Sequence, residues 1–112
     1  MDFVDIDPAT FTMSVAALDA KLADAERRGR LPQIVGPVHF AGQPCDMAAI
    51  GALAQRYGFA VIEDAAHAIG AERGGERTGA CTHSDLTVFS FHPVKIVTTG
   101  EGGMLLTRRA DL

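Results

Sequence analysis

The sequence predicts an α/β fold, with a mostly parallel sheet and flanking helices. Three observations carry that expectation. Short, near-continuous apolar runs of strand length alternate with amphipathic helical stretches, the pattern of βαβ units whose sheet is buried on both faces. Hydrophobic residues make up 47% of the chain and charged residues 21%, values for a globular chain rather than a disordered one. The 112 residues hold no linker, repeat or low-complexity tract that would divide them into separate units.

Taken in order, the elements begin with a strand-like run at Phe3–Ile6. Ser14 then caps a helix whose apolar positions Val15, Leu18, Leu22 and Ala25 recur at a spacing of three and four. Arg27 and Arg28 suit its negative end and Gly29 its C′ position. The run Gln33–Phe40 reads as a strand. A second helix starts behind Asp46, runs through Ile50, Leu53, Ala54 and Tyr57, and stops at Gly58. Further strands are expected at Phe59–Ile62, Leu86–Phe91 and Met104–Thr107. Between Gly70 and Ser84 lies a polar, glycine-rich loop with room for a small hairpin at Gly74-Gly75.

Composition narrows the function classes. A net charge of −4 gives no electrostatic reason to expect nucleic acid or an anionic membrane as partner. The longest apolar stretch, near Met47–Ala54, is far short of a membrane span and is interrupted by Gly51. Residues 1–30 show no secretory pattern, and two cysteines cannot build a disulfide framework, so a reducing, cytoplasmic setting is expected.

Ligands of open α/β sheets bind at the carboxyl ends of the strands, so the residues just after each apolar run are the candidates for chemistry. Glu63-Asp64-Ala65-Ala66-His67 stands after one, Ser90-Phe91-His92-Pro93-Val94-Lys95 after another, and His39-Phe40-Ala41-Gly42 after a third. Asp64, next to Glu63 just past the apolar run Phe59–Ile62, is expected to be partly desolvated and to want a cationic partner; a helix cap or structural ion pair is the plainer reading. Lys95 sits among Pro93, Val94, Ile96 and Val97, a setting that favours a nucleophilic amine, although an arbitrary lysine more often snorkels from an edge. Ser90 has a hydroxyl for a phosphate or for nearby backbone. His39, Cys45, His67, Cys81, His83 and His92 match no paired zinc spacing, and no metal is expected. Neither a dinucleotide nor a P-loop glycine pattern is present, and no G-x-S-x-G elbow supports a serine hydrolase.

Asp64-Ala65-Ala66-His67, Ser90-Phe91-His92-Pro93-Val94-Lys95 and Thr98-Thr99-Gly100-Glu101-Gly102-Gly103-Met104, with PVHFAGQPCDM at 37–47, resemble the core of the pyridoxal-phosphate sugar aminotransferases of the DegT/DnrJ group. The motifs come in family order and span nearly the whole chain. The resemblance implies the aspartate aminotransferase fold, with residues 1–112 as the central part of its large, cofactor-binding domain. The N-terminal cofactor-phosphate region and the C-terminal small domain of such enzymes have no counterpart here.

Carried over, the resemblance makes Lys95 the amine that forms a Schiff base with pyridoxal 5′-phosphate and then carries the proton. Asp64 pairs with the pyridinium nitrogen, His67 contacts the ring near its phenolic oxygen, and Ser90 donates to the cofactor phosphate. His39 and His92 are substrate-side candidates. Related sugar dehydratases have histidine at the lysine position, so Lys95 favours transamination. The combination HPVK and TTGEGG looks most like enzymes of pseudaminic acid biosynthesis. Glutamate as donor, a UDP-linked 4-keto-6-deoxy-N-acetylhexosamine as acceptor and a homodimeric parent enzyme are implied. A non-catalytic remnant, or an aminotransferase for another keto substrate, are the alternatives.

Overall fold

The computed structural model describes residues 1–112. Its two helices form where apolar spacing and caps coincide. Helix α1, Val15–Arg27, starts at Ser14, whose hydroxyl accepts from the Ala17 amide, and turns out of the helix at Arg28 and Gly29. Helix α2, Met47–Tyr57, starts at Asp46, which accepts from the Ala49 amide, and ends at Gly58 in the left-handed region (φ 77°). Glycine alone adopts that conformation without steric cost.

Six short strands complete the chain: β1 (Ile34–Val35), β2 (Ala60–Asp64), β3 (Glu72–Arg73), β4 (Glu76–Arg77), β5 (Leu86–Ser90) and β6 (Gly103–Leu106). The main sheet has the order β1-β2-β5-β6. Strands β1, β2 and β5 are parallel, and β6 runs antiparallel to β5. The antiparallel step arises from the connection, since residues 91–102 hold a turn and not the helix that a parallel crossover would use. Strands β3 and β4 form the separate hairpin around Gly74 and Gly75, both at positive φ, as a two-residue turn of this kind requires.

Two expected strands come out differently. Phe3–Ile6 forms no ladder; only Ile6 makes an isolated bridge, to Met13. Gln33–Phe40 is regular only at Ile34–Val35, with a further bridge from Val38 to Asp64 and a 3₁₀ turn at Phe40–Gly42. Gly36 and Pro37 interrupt the run, and a proline has no amide to give to a ladder.

The core lies on one face of the sheet. Leu18 and Leu22 of α1 and Ile50, Leu53 and Tyr57 of α2 pack with Val35, Phe59 and Val61. A smaller cluster joins Ala65, Ala68 and Phe89. The other face is not covered as the apolar pattern led one to expect: Ile34 (56%), Val88 (37%) and Leu105 (57%) are exposed there. Strand alternation sets this division, because Ile62, Asp64, Val88 and Ser90 share the open face while Val61, Glu63, Thr87 and Phe89 point to the closed one.

Candidate active site

Parallel pairing brings the ends of β2 and β5 to one edge, with Asp64 opposite Val88 and Ser90 two residues further along the same face. The backbone at Asp64 is held from both sides. Its amide donates to Pro37 O at 2.9 Å, its carbonyl accepts from the His39 amide at 3.0 Å, and the Ala65 amide donates to Val88 O at 2.9 Å. Oδ1 of Asp64 accepts from the Ala66 amide at 3.0 Å. The side chain is exposed and has no ion-pair partner in the chain, contrary to the expectation of a partly desolvated carboxylate with a cation beside it. Its position at the last residue of a strand, on the open face, explains the difference.

His67 is exposed in the loop after β2, with its ring centroid 6.1 Å from that of Phe40. The turn carrying Phe40 folds tightly over this loop: Ala41 has φ 52°, and a Cβ added at Gly42 would stand 3.4 Å from His67 O. Ser90 Oγ accepts from the His92 amide at 3.4 Å, which leaves its own proton free to donate.

Lys95 closes a turn in which its amide donates to His92 O at 2.9 Å. The segment around it is fastened to Phe91. The Phe91 amide donates to Gly102 O at 2.8 Å, and the Phe91 carbonyl accepts from the Thr99 amide and the Thr98 hydroxyl, both at 3.1 Å. A Cβ at Gly102 would meet Thr99 Oγ1 at 2.6 Å, which accounts for that glycine. The apolar neighbours do not enclose Lys95, because Val94 (78%), Ile96 (68%) and Val97 (48%) face outward. His92 is exposed in the same turn, with Nε2 at 4.0 Å from Glu101.

His39, expected at the substrate edge, lies instead behind it, fully buried. Its Nε2 bonds Glu63 Oε2 at 2.8 Å and its Nδ1 accepts from the Cys45 amide at 3.1 Å, so both ring nitrogens are engaged inside the protein. Glu63 Oε1 accepts from the hydroxyls of Ser84 and of Thr87, the latter at 2.9 Å. This network was not legible as such in the sequence. The signal for it was the alternation of β2, which sends Glu63 inward between Val61 and Ala65.

Burial pushes the Glu63 carboxyl up, but the bonds from His39, Ser84 and Thr87 outweigh it and hold its pKa below the ordinary 4.5. Burial likewise opposes an imidazolium at His39, whereas the neighbouring Glu63 carboxylate favours one. The Cys45 N–H nevertheless faces Nδ1, where a second ring proton would set two donors against each other. We therefore assign a single proton, on Nε2, donated to the Glu63 carboxylate.

A depressed folded-state pKa contributes stability above the unfolded value and loses it as pH falls through the folded one. Thermal melts should thus show stability dropping below pH 4.5. Glu63→Gln should be less stable by about 2 kcal/mol at neutral pH and show a flatter acid limb. An acid limb unchanged by that substitution would contradict the assignment.

No group of three His, Cys, Asp or Glu side chains is gathered for a metal. Two concavities, of about 350 and 1070 Å³, lie elsewhere and include none of Asp64, His67, Ser90 or Lys95. The open face thus carries a carboxylate without a counter-cation at Asp64 and a hydroxyl with a free proton at Ser90, and the loops that follow β2 and β5 carry the imidazole of His67 and the amine of Lys95. The model of the DegT/DnrJ/EryC1/StrS aminotransferase family matches residues 2–112.

The chain belongs to that family. Members of the DegT/DnrJ/EryC1/StrS family use pyridoxal phosphate. GDP-perosamine synthase of Caulobacter vibrioides is 43% identical over 109 residues, covering 97% of this chain and 27% of that protein. A DegT/DnrJ/EryC1/StrS aminotransferase from Brucella abortus superposes with a TM-score of 0.89 at 37% identity, over 97% of this chain and 29% of the other. The Bacillus subtilis protein NtdA, solved with bound cofactor PMP, superposes at 0.76 with 29% identity, over 96% of this chain and 22% of its own. Helicobacter pylori PseC, an aminotransferase of pseudaminic acid biosynthesis, shares the fold (TM-score 0.86) at 24% identity, over 98% of this chain and 27% of its own. The chain thus spans about a quarter of the length of the curated relatives it matches.

The residues present fit the family's cofactor. A carboxylate without a counter-cation suits a protonated ring nitrogen, and a hydroxyl that accepts from backbone while keeping its proton suits a phosphate oxygen.

Proposed function

We propose that residues 1–112 are the central part of the large domain of a longer, cytoplasmic, homodimeric aminotransferase. It moves an amino group from an amino acid, glutamate foremost, onto a nucleotide-linked 4-keto-6-deoxy sugar. The observation that carries this is the gathering of Asp64, Ser90 and the Lys95 turn at one strand edge within a family match covering residues 2–112. No helix of the chain is long and apolar enough to cross a membrane.

Bound pyridoxal phosphate supplies an electron sink for the pair left when the Cα–H bond of the donor breaks. Asp64 would pair with the ring nitrogen and so favour its protonated form. Lys95 would hold the cofactor through its amine and, when that amine is free, would take up and give back the proton of the donor. Ser90 would donate to the cofactor's phosphate, and His67 would contact its ring. His92, exposed beside Lys95, is the substrate-side imidazole.

For the sugar, HPVK with TTGEGG supports a UDP-linked N-acetylhexosamine of pseudaminic acid type. The 43% identity to GDP-perosamine synthase favours a second reading, a GDP-linked sugar. Incubating the full-length enzyme with glutamate and a panel of UDP- and GDP-linked keto sugars separates them by which one yields 2-oxoglutarate. Turnover with neither, alongside turnover of an unrelated keto acid, would contradict the sugar assignment.

A further inference from the structure

The buried His39–Glu63 pair is the part of the molecule that the proposed chemistry leaves without a task. Glu63 is 4% exposed and His39 0%. Placing a carboxylate there is costly, and apolar side chains of the same volume often serve stability as well or better. What the pair does accomplish is to tie four segments together. His39 comes from the stretch after β1, Glu63 from β2, Thr87 and Ser84 from β5 and its approach, and the Cys45 amide stands just before α2.

Those are also the segments that hold Asp64. The His39 amide donates to the Asp64 carbonyl, and Asp64 pairs with Val88 across from β5. Successive strand residues share one backbone and point to opposite faces, so a shift of β2 at Glu63 would carry the Asp64 side chain with it. On the open face Asp64 meets no side chain; its Oδ1 accepts from the Ala66 amide, and the strand that carries it is held from behind.

We propose that His39 and Glu63 are positioning residues, whose hydrogen bond holds the Asp64 carboxylate in the direction that the ring nitrogen of the cofactor requires. The inference rests on the proposed role of Asp64 as partner of that nitrogen. It differs from a purely structural role because only one of the two bonds of His39 reaches Glu63.

Two substitutions at His39 in the full-length enzyme separate those bonds. His39→Gln keeps an N–H at the ε position for Glu63 and gives up the acceptor for Cys45. His39→Asn keeps an acceptor near the Cys45 amide and gives up the bond to Glu63. Leu22→Ala, in the core of α1, serves as a control that lowers stability away from the edge. The readouts are the dissociation constant of pyridoxal phosphate by absorbance titration, the absorbance maximum of the bound cofactor, and the melting temperature without cofactor.

His39→Asn is expected to weaken cofactor binding about tenfold, the scale seen when outer partners of a ligating group are removed, and to displace the absorbance maximum. His39→Gln should stay within about twofold of the parent, and Leu22→Ala should melt earlier with cofactor binding unchanged. Should His39→Asn not fold, Thr87→Val, which removes one bond to Glu63, is read in the same way with an effect of about threefold. Unchanged binding and absorbance in His39→Asn (or in Thr87→Val, if that is the variant that folds) would overturn the proposal. So would a loss in Leu22→Ala that matches its drop in melting temperature. Failure of the unsubstituted enzyme to bind the cofactor would instead overturn the functional reading, and this inference with it.

Discussion

Lys95→Ala in the full-length enzyme is expected to lower amino transfer at least about 10³-fold, since the proposed chemistry gives Lys95 both the covalent attachment and the carrying of the proton. Lys95→Arg should be nearly as damaged. It keeps the charge, but a guanidinium does not give up its proton in a protein, so it can neither attack nor shuttle. Equal activity of the arginine variant and the parent would mean that Lys95 acts only through its charge. The local structure predicts that both variants fold. Lys95 uses its amide, not its side chain, in the turn to His92, and the segment is fastened through Phe91, Thr98, Thr99 and Gly102.

Asp64→Asn carries the second large effect, about 10²- to 10³-fold in turnover, the usual cost of removing an aimed electrostatic partner. An amide of the same shape can still meet the Ala66 amide, so the loop after β2 should persist. The cofactor is expected to bind more weakly, and the turnover loss should come in kcat rather than only in KM. Asp64→Glu should recover part of the loss by restoring the charge on a longer arm. A variant with full kcat and raised KM would contradict a role for Asp64 in stabilising the reacting ring.

The helices were readable because each carries independent signals that agree: caps at Ser14 and Asp46, apolar residues at a spacing of three and four, and glycine stops at Gly29 and Gly58. The hairpin at Gly74-Gly75 was readable from turn chemistry alone. Strands were harder. Phe3–Ile6 has strand composition but finds no partner in the chain, and a ladder is a property of two segments. The reach of β2 to Glu63 and Asp64 was missed because charged residues look like a strand's end, although Glu63 continues the inward alternation into a seat of hydrogen bonds.

The site was legible to a similar degree. Asp64, Ser90 and Lys95 come after apolar runs, and strand-end logic brings them to one edge. His39 was misread as an edge residue because position along the chain does not say which way a ring points. Its direction is set by Glu63, 24 residues away, and by the Cys45 amide. The open face of the sheet was concealed for a related reason: apolar strand residues record that a face is to be covered, not by which segment.

The most direct measurement reduces the cofactor-loaded, full-length enzyme with borohydride and maps the modified peptide by mass spectrometry. The proposed chemistry predicts a single pyridoxyl phosphate adduct on Lys95, absent from Lys95→Ala. An adduct on another lysine, or its retention in Lys95→Ala, would contradict it.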